Sequence, residues 1–188
     1  MHRRVYGELN KGQARAIETI HRRCEELGRR LDGFADWLYL MTGEDLGPVV
    51  AVDVQQVVLD ESERLGVVPS TVFPDSLSRV RAAEGPFAIA VRELLHNAQR
   101  FGEGPVQITV KPEESSVFLE IQDDGLGPTA DLLGCTTPPE GGVARARGWL
   151  ARMGGTLSFS EASPHGTVAR ITLPRAEEPV ATSAEDIQ

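Results

Sequence analysis

Apolar side chains recur at heptad spacing through the first part of the chain. From Lys11 to Met41 there is no proline, and successive apolar positions lie alternately three and four residues apart. These positions are Ile17, Ile20, Cys24, Leu27, Leu31, Phe34, Leu38 and Met41. The spacing is typical of a long coiled-coil-like helix. Because so narrow a stripe is buried only against another helix, we expect residues 11–41 to form a homodimer.

The pattern changes to shorter elements after a linker that contains Gly43, Gly47 and Pro48. The apolar stretch "GPFAIAVRELLHNAQRFG" predicts a helix, and "VDVQQVVLDESERLG" and "GGVARARGWLARMGG" predict two more. Apolar and polar residues alternate in "VQITVK", "VFLEIQ", "TLSFS" and "TVARITLP", which predicts two strand pairs, and "STVFP" is a further candidate strand. This order predicts an α+β fold, a two-layer α/β sandwich with a mostly antiparallel mixed sheet.

Charge and composition limit the location and the partners that we expect for this protein. No apolar run approaches the roughly 18 residues needed to span a bilayer, so we expect a soluble, cytoplasmic protein without membrane contact. The net charge of −9 argues against nucleic acid as a partner. Residues 1–31 nevertheless hold eight Lys/Arg against four Asp/Glu, which we interpret as a solvated basic face. A docking surface for an acidic partner is the alternative.

Three regions follow from these patterns. Residues 1–47 are the predicted dimerisation helix region, and residues 48–175 are a single α/β domain. Residues 176–188 form a polar tail that we expect to be disordered. Cys24 and Cys135 are far apart and lack the spacing of a zinc site or a disulfide framework.

Three motifs in the α/β domain carry groups suited to a ligand. In the helix "RELLHNAQRF", Glu93, Asn97 and Arg100 share one face. The strand "VFLEIQ" leads into Asp123 and a glycine-rich turn that permits close backbone approach. A glycine pair ending at Gly142 opens the next predicted helix, where unpaired backbone amides are available to a phosphate. Each motif alone is weak evidence, but the set in this order is specific.

Four stretches together resemble the ATP-binding domain of histidine kinases. The stretches "ELLHNAQRF", "IQDDGLGP" and "GGVARARGWLARMGGTLSF" are similar to its N box, first glycine box and second glycine box, and "HGTVARITLP" is similar to its closing strand. That domain is shared with gyrase, MutL and the ninety-kilodalton heat-shock chaperone, and the resemblance covers roughly residues 50–174. It implies a protein of two-component or phosphorelay signalling that uses ATP and Mg²⁺. A response-regulator receiver or a partner kinase is the implied partner.

The resemblance also implies roles at the phosphate end of an ATP site. Asn97 would chelate Mg²⁺, for which an amide oxygen is a suitable ligand. Arg100 would approach the phosphates, and Glu93 would be the catalytic carboxylate that orders water or metal. Gly142 corresponds to the second glycine of the Gly-x-Gly that opens the helix in relatives.

At the adenine end, the resemblance implies four further contacts. Asp123 would accept a hydrogen bond from the exocyclic amine of adenine. Gly125 and Gly127 would let the base lie against backbone, and Thr167 resembles a residue at the back of the purine pocket.

The sequence departs from the family pattern in two respects. Glu140 stands where relatives have the first glycine of Gly-x-Gly, and a carboxylate there would repel a phosphate. The stretch "YGELNKGQ" has Gly7 where a phosphoacceptor signature requires histidine, and we interpret His21 as structural or solvated rather than as the acceptor. We therefore expect a degenerate phosphate end and no evident phosphoacceptor histidine.

Three functions remain open on this evidence. The leading hypothesis is phosphoryl transfer of the protein-histidine-kinase type, in which the protein supplies positioning and electrostatics. A non-catalytic kinase-like scaffold or phosphotransfer regulator is one alternative. An anti-sigma-type serine kinase is another, but the heptad helix and the "RMGGTLSF" segment favour the histidine-kinase branch.

Overall fold

The chain consists of two compact units in the computed structural model, Met1–Thr42 and Gly43–Gln188. The structure describes residues 10, 12–13, 15–24, 27, 46–129, 132–133 and 142–176. The division between the units lies a few residues before the boundary predicted after residue 47.

In the first unit, the described residues from 12 onward have helical backbone. Asn10 and Gln13 exchange hydrogen bonds at the start of this segment, because the side-chain oxygen of each accepts from the backbone N–H of the other, at 2.9 and 3.0 Å. This reciprocal arrangement is a capping box, which marks a helix N-terminus. Ile17, Ile20 and Leu27 of the predicted stripe are 51, 62 and 59% exposed. The second half of the stripe, from Leu31 to Met41, lies outside the described residues.

The second unit contains seven strands and three helices among its described residues. In chain order they are β1 (Val50–Asp53), α1 (Val54–Leu65), β2 (Ser70–Val72), β3 (Arg79–Ala82), α2 (Glu84–Phe101), β4 (Gln107–Pro112), β5 (Ser116–Gln122), α3 (Gly142–Arg152), β6 (Thr156–Glu161) and β7 (Thr167–Pro174).

The main sheet has five strands in the order β2-β4-β5-β7-β6. The β2–β4 pair is parallel, and the remaining pairs are antiparallel. The register places Leu119 of β5 between Val110 of β4 and Ile171 of β7. Because side chains alternate along a strand, these apolar residues share the buried face. The predicted fold class, a two-layer sandwich with a mostly antiparallel mixed sheet, is confirmed.

The helices bury their apolar sides on one face of this sheet. Phe87, Val91, Leu94 and Leu95 of α2 are at most 2% exposed, because their spacing places them on one side of the helix. Trp149 and Leu150 of α3 are buried in the same way. The polar residues of α2 are consequently left on the side of the helix that faces away from the sheet.

The sequence did not predict a small second sheet, in which β1 pairs antiparallel with β3. Its two strands have four residues each, and the sequence pattern merged the first of them with the helix that follows. The carboxylate of Asp53 ends the strand and begins α1, because it accepts from the backbone N–H groups of Gln55 and Gln56.

An ion pair between a buried carboxylate and a partly exposed guanidinium connects α1 to α2. Glu61 is 3% exposed, and its carboxylate accepts hydrogen bonds from Nε and Nη2 of Arg92 at 2.6 and 3.0 Å. These hydrogen bonds raise the pKa of Arg92 above its ordinary value. The side chain of Arg92 is therefore bound to Glu61 of α1.

Among the described residues, the helices lack the combination of length and apolar character needed to cross a membrane.

Candidate functional site

One face of α2 carries three of the predicted site residues. Glu93 and Asn97, one helical turn apart, are half-buried. Arg100, in the last turn, is exposed, and its guanidinium lies 5.1 Å from the centre of the Phe101 ring. The helix therefore places an acid, an amide and a cation in a row.

Asp123 lies where β5 ends, and it is held against β7. Its backbone N–H donates to the carbonyl of Thr167 at 3.0 Å. Its Oδ1 accepts from the backbone N–H groups of Gly125 and Thr167 at 2.9 and 3.1 Å. Both amides bind the same oxygen, which leaves lone pairs of Oδ2 for a donor on a ligand.

Three glycines lie in or against this turn, and two of them allow backbone segments to pack closely together. A Cβ on Gly125 would lie 2.3 Å from the carbonyl oxygen of Phe101, so this glycine lets the turn pack against the end of α2. A Cβ on Gly166 would lie 1.9 Å from the carbonyl oxygen of Asp123, and its φ of +111° is strained for other residues. Gly127 also has positive φ, at +92°. Gly125 lies against the backbone of Phe101, and its predicted approach to a ligand stays a prediction.

Asp124 fixes the position of the same turn from its other side. Its Oδ1 accepts from the backbone N–H groups of Gly104 and Glu103 at 3.0 and 2.8 Å. These bonds hold the pKa of Asp124 below its usual value, with that from Gly104 the largest cause. The backbone carbonyl of Asp124 lies 2.8 Å from Nδ1 of His165, in the turn between β6 and β7. Two loops therefore hold Asp123 in place.

Gly142 lies against Glu93, because α3 begins beside the middle of α2. The side chain of Arg145, one turn into α3, donates from Nη2 to Oε1 of Glu93 at 2.8 Å. This partner could not be predicted from the sequence, because an ion pair between two helices leaves no pattern in the spacing of residues along either helix.

The structure brings the predicted residues into two groups. Asp123, Gly125, Gly127 and Thr167 form the first, around the turn after β5. Glu93 and Gly142 form the second, between α2 and α3, and Asn97 lies one turn after Glu93 on α2. The end of α2 joins the groups, since Gly125 contacts Phe101. Arg100 lies near this junction on the surface, and Glu140 lies outside the described residues.

The second group offers oxygen ligands suited to Mg²⁺. Asn97 contributes an amide oxygen, and the carboxylate of Glu93, one turn before it, is paired with Arg145 and lies beside this position. No cluster of three or more His, Cys, Asp or Glu side chains with metal-binding geometry occurs in the described part of the chain. Since Mg²⁺ commonly takes one or two protein ligands and completes its shell with waters and phosphate oxygens, this donor set fits the ion.

Solved structures of sensor kinases share the fold. The mycobacterial sensor histidine kinase MprB is 21% identical, with a TM-score of 0.58, and the match covers 69% of this chain and 99% of that one. The Acinetobacter baumannii histidine kinase AdeS is 16% identical, with a TM-score of 0.66, over 91% of this chain and 88% of that one. Full-length ShkA in complex with AMPPNP is 18% identical, with a TM-score of 0.63, over 92% of this chain and 41% of that one.

The family is shown by a match at the level of sequence. Residues 83–177 match the family model of the histidine kinase-, DNA gyrase B- and HSP90-like ATPases. That range is just over half of the chain, and it runs from the start of α2 to the end of β7. It contains both groups of site residues. The chain therefore belongs to this ATPase family and carries an ATP-binding domain of the histidine-kinase type.

Proposed function

We propose that this protein binds ATP together with Mg²⁺ and acts in phosphoryl transfer of the histidine-kinase type, in two-component or phosphorelay signalling. The observation that carries the proposal is the fixed carboxylate of Asp123. Two backbone amides donate hydrogen bonds to its Oδ1, and its second oxygen can accept a hydrogen bond from the exocyclic amine of adenine. A carboxylate accepts such a bond more strongly than a neutral group does.

The adenine end is built from backbone as much as from side chains. Gly127 provides a turn with positive φ beside Asp123, and Gly166 lets the β6–β7 hairpin touch the Asp123 carbonyl. Thr167 contributes through its backbone N–H, which fixes the carboxylate rather than the ligand. In this proposal the base lies against the turn and donates its amine to Oδ2 of Asp123.

The phosphate end lies along the polar face of α2. Asn97 is the protein ligand proposed for Mg²⁺, and Arg100 is the cation proposed to meet the phosphates. When bound, Mg²⁺ neutralises part of the phosphate charge during transfer. Glu93 is proposed to order water or an acceptor group beside the terminal phosphate.

The exposed stripe of the first unit supports a homodimer through residues 11–41. Ile17, Ile20 and Leu27 each expose about half or more of their surface. Cys24, between them in the heptad, is also exposed. Light scattering at high micromolar concentration tests this assembly: the mass of two chains is expected, and the mass of one chain would exclude the dimer.

The acceptor of the phosphoryl group is proposed to lie on a partner protein. The stretch that resembles a phosphoacceptor signature has Gly7 in place of histidine, and the sequence assigns His21 a structural or solvated role. A receiver domain or a partner kinase would then accept the phosphoryl group. We also propose that Glu140 weakens binding at the phosphate end, as expected for a carboxylate beside phosphate oxygens.

One incubation separates the three functions. The purified chain is mixed with Mg²⁺ and ATP labelled at the γ-phosphate, and both bound label and released ADP are measured. The proposal predicts slow release of ADP together with labelled inorganic phosphate, because water accepts the phosphoryl group when no partner protein is present, and no stable label on the chain. Acid-labile label would show an acceptor histidine in the chain itself, and acid-stable label would support the serine-kinase alternative.

Two variants complete the test. Glu93→Gln is expected to reduce ADP release while ATP still binds, because the proposed catalytic carboxylate is neutralised. Arg170→Met is the matched control, since it removes a cross-strand ion pair with Glu120 on the sheet face away from the helices. ATP binding without ADP release in the wild type would favour the non-catalytic scaffold.

A further inference from the structure

The carboxylate of Glu93 is tied to α3 by Arg145. Arg145 Nη2 lies 2.8 Å from Glu93 Oε1, and the two side chains are only 11 and 23% exposed. The neighbouring cation on α2, Arg92, is engaged by Glu61. Such shielding makes the pairing stronger than that of a solvated surface pair, so the charge of Glu93 is largely compensated within the protein.

The same carboxylate lies directly against the start of α3. A Cβ built on Gly142 would be 1.8 Å from Oε2 of Glu93 and 2.7 Å from its Cδ. Any side chain at residue 142 would therefore displace the carboxylate. The first turn of a helix carries partial positive charge from its free N–H groups, which favours an anion at this place. Two separate contacts, the guanidinium and the helix start, thus hold Glu93.

This geometry creates a conflict at the proposed phosphate end. A triphosphate that approaches Asn97 and Gly142 meets the Glu93 carboxylate, which has the same sign of charge. Two like charges a few ångströms apart at an intermediate dielectric repel strongly enough to change affinity by orders of magnitude. A cation bonded to that carboxylate removes most of this repulsion.

We propose that Arg145 is a positioning residue that holds Glu93 against the start of α3 and cancels its charge, so that the phosphates of a nucleotide can lie beside it. The inference rests on the proposed ATP-binding function and deepens it. Arg145 acts through Glu93, so its effect depends on how many phosphates the ligand carries and disappears when Glu93 is neutral.

The test is a set of calorimetric titrations with adenosine, ADP and ATP, each with Mg²⁺ and again with a chelator in its place. The proteins are the wild type, Arg145→Met, Arg145→Lys, Glu93→Gln and the double variant Glu93→Gln/Arg145→Met. Arg170→Met serves as the control for loss of an ion pair remote from the site. Thermal unfolding of each variant identifies the temperature range in which all of them are folded.

The inference predicts that Arg145→Met loses more affinity for a ligand that carries more phosphates. Arg145→Met should weaken ATP binding at least about tenfold, more so without Mg²⁺, while adenosine affinity changes less than about twofold. Arg145→Lys should retain most ATP affinity because it keeps the charge. Neutralising Glu93 in the double variant should restore ATP affinity to within about threefold of the wild type.

Four results would overturn the inference. Equal weakening of adenosine and ATP by Arg145→Met would show a purely structural role. Failure of the double variant to recover would show that Arg145 contacts the phosphates directly instead of acting through Glu93. If the wild type bound none of the three ligands, the proposed function would be excluded as well. If the wild type bound adenosine but bound ADP and ATP no more tightly, only this inference would be excluded.

Discussion

Replacing Asp123 by Asn should weaken the binding of ATP and strengthen the binding of inosine triphosphate. The asparagine keeps one acceptor oxygen for the N–H groups of Gly125 and Thr167, so the turn after β5 should remain folded. The other carboxylate oxygen becomes an NH₂ donor. That donor faces the amine of adenine, which also donates, and the hydrogen bond is lost.

The size of the effect follows from the type of bond. A hydrogen bond to a charged acceptor contributes about 1.5 to 3 kcal/mol, which corresponds to a loss of about 10- to 150-fold in ATP affinity. Inosine triphosphate carries an acceptor oxygen in place of the amine. It should bind the wild type poorly, because carboxylate and carbonyl both accept, and should bind the asparagine variant better than the wild type.

The assay is calorimetric titration of both proteins with ATP and with inosine triphosphate under identical Mg²⁺ concentration. Thermal unfolding of the variant is the control for the fold and should change little, whereas Asp123→Ala, which removes the acceptor of two amides, should lower the melting temperature. An asparagine variant that bound ATP within about twofold of the wild type would refute the assigned role of Asp123.

Three further predictions concern the structure around the site. Gly166→Ala should lower the free energy of unfolding by about 1 to 3 kcal/mol in urea titrations, since its Cβ would meet the Asp123 carbonyl in a strained backbone conformation, and an unchanged value would contradict that close approach. Glu61→Ala should lower the free energy of unfolding by about 1.5 to 3 kcal/mol because Arg92 loses its bidentate hydrogen bonds to a charged partner, and an unchanged free energy of unfolding would show that the pair contributes nothing to stability. The pKa of Asp124 is lowered in the folded protein, so its stabilising contribution is present above the ordinary carboxyl pKa and is lost as the pH falls through the folded value. Asp124→Asn should accordingly flatten the acid side of the curve of unfolding free energy against pH, and a curve identical to that of the wild type would contradict this reasoning.

Elements with a strong repeating pattern could be predicted from the sequence. Helix α2 was predicted because its apolar residues recur at helical spacing, and the β4–β5 and β6–β7 pairs were predicted because apolar and polar residues alternate along each strand. The pair β1–β3 was missed, because Val50–Asp53 is too short to show alternation and runs directly into α1. Its pairing depends on residues that lie far along the chain.

Candidate site residues could be predicted where they occur in a short local motif of the sequence. Asp123 followed by a glycine-rich turn is such a motif, as is Asn97 one turn after Glu93. The ion pair of Arg145 with Glu93 was missed because it joins two helices that only the packing of the fold brings together. The bonds of Asp124 to the loop after α2 depend on contacts between distant parts of the chain and are seen only in the three-dimensional structure.

The central claim is that this chain binds ATP at a site that begins with Asp123 and ends between α2 and α3. Calorimetric titration of the wild type with ATP in the presence of Mg²⁺ tests it most directly. Saturable binding of one ATP per chain, with a dissociation constant at or below about 1 mM, is expected from the usual range for nucleotide-using enzymes. No saturable binding at millimolar ATP, with the protein shown to be folded, would contradict the account.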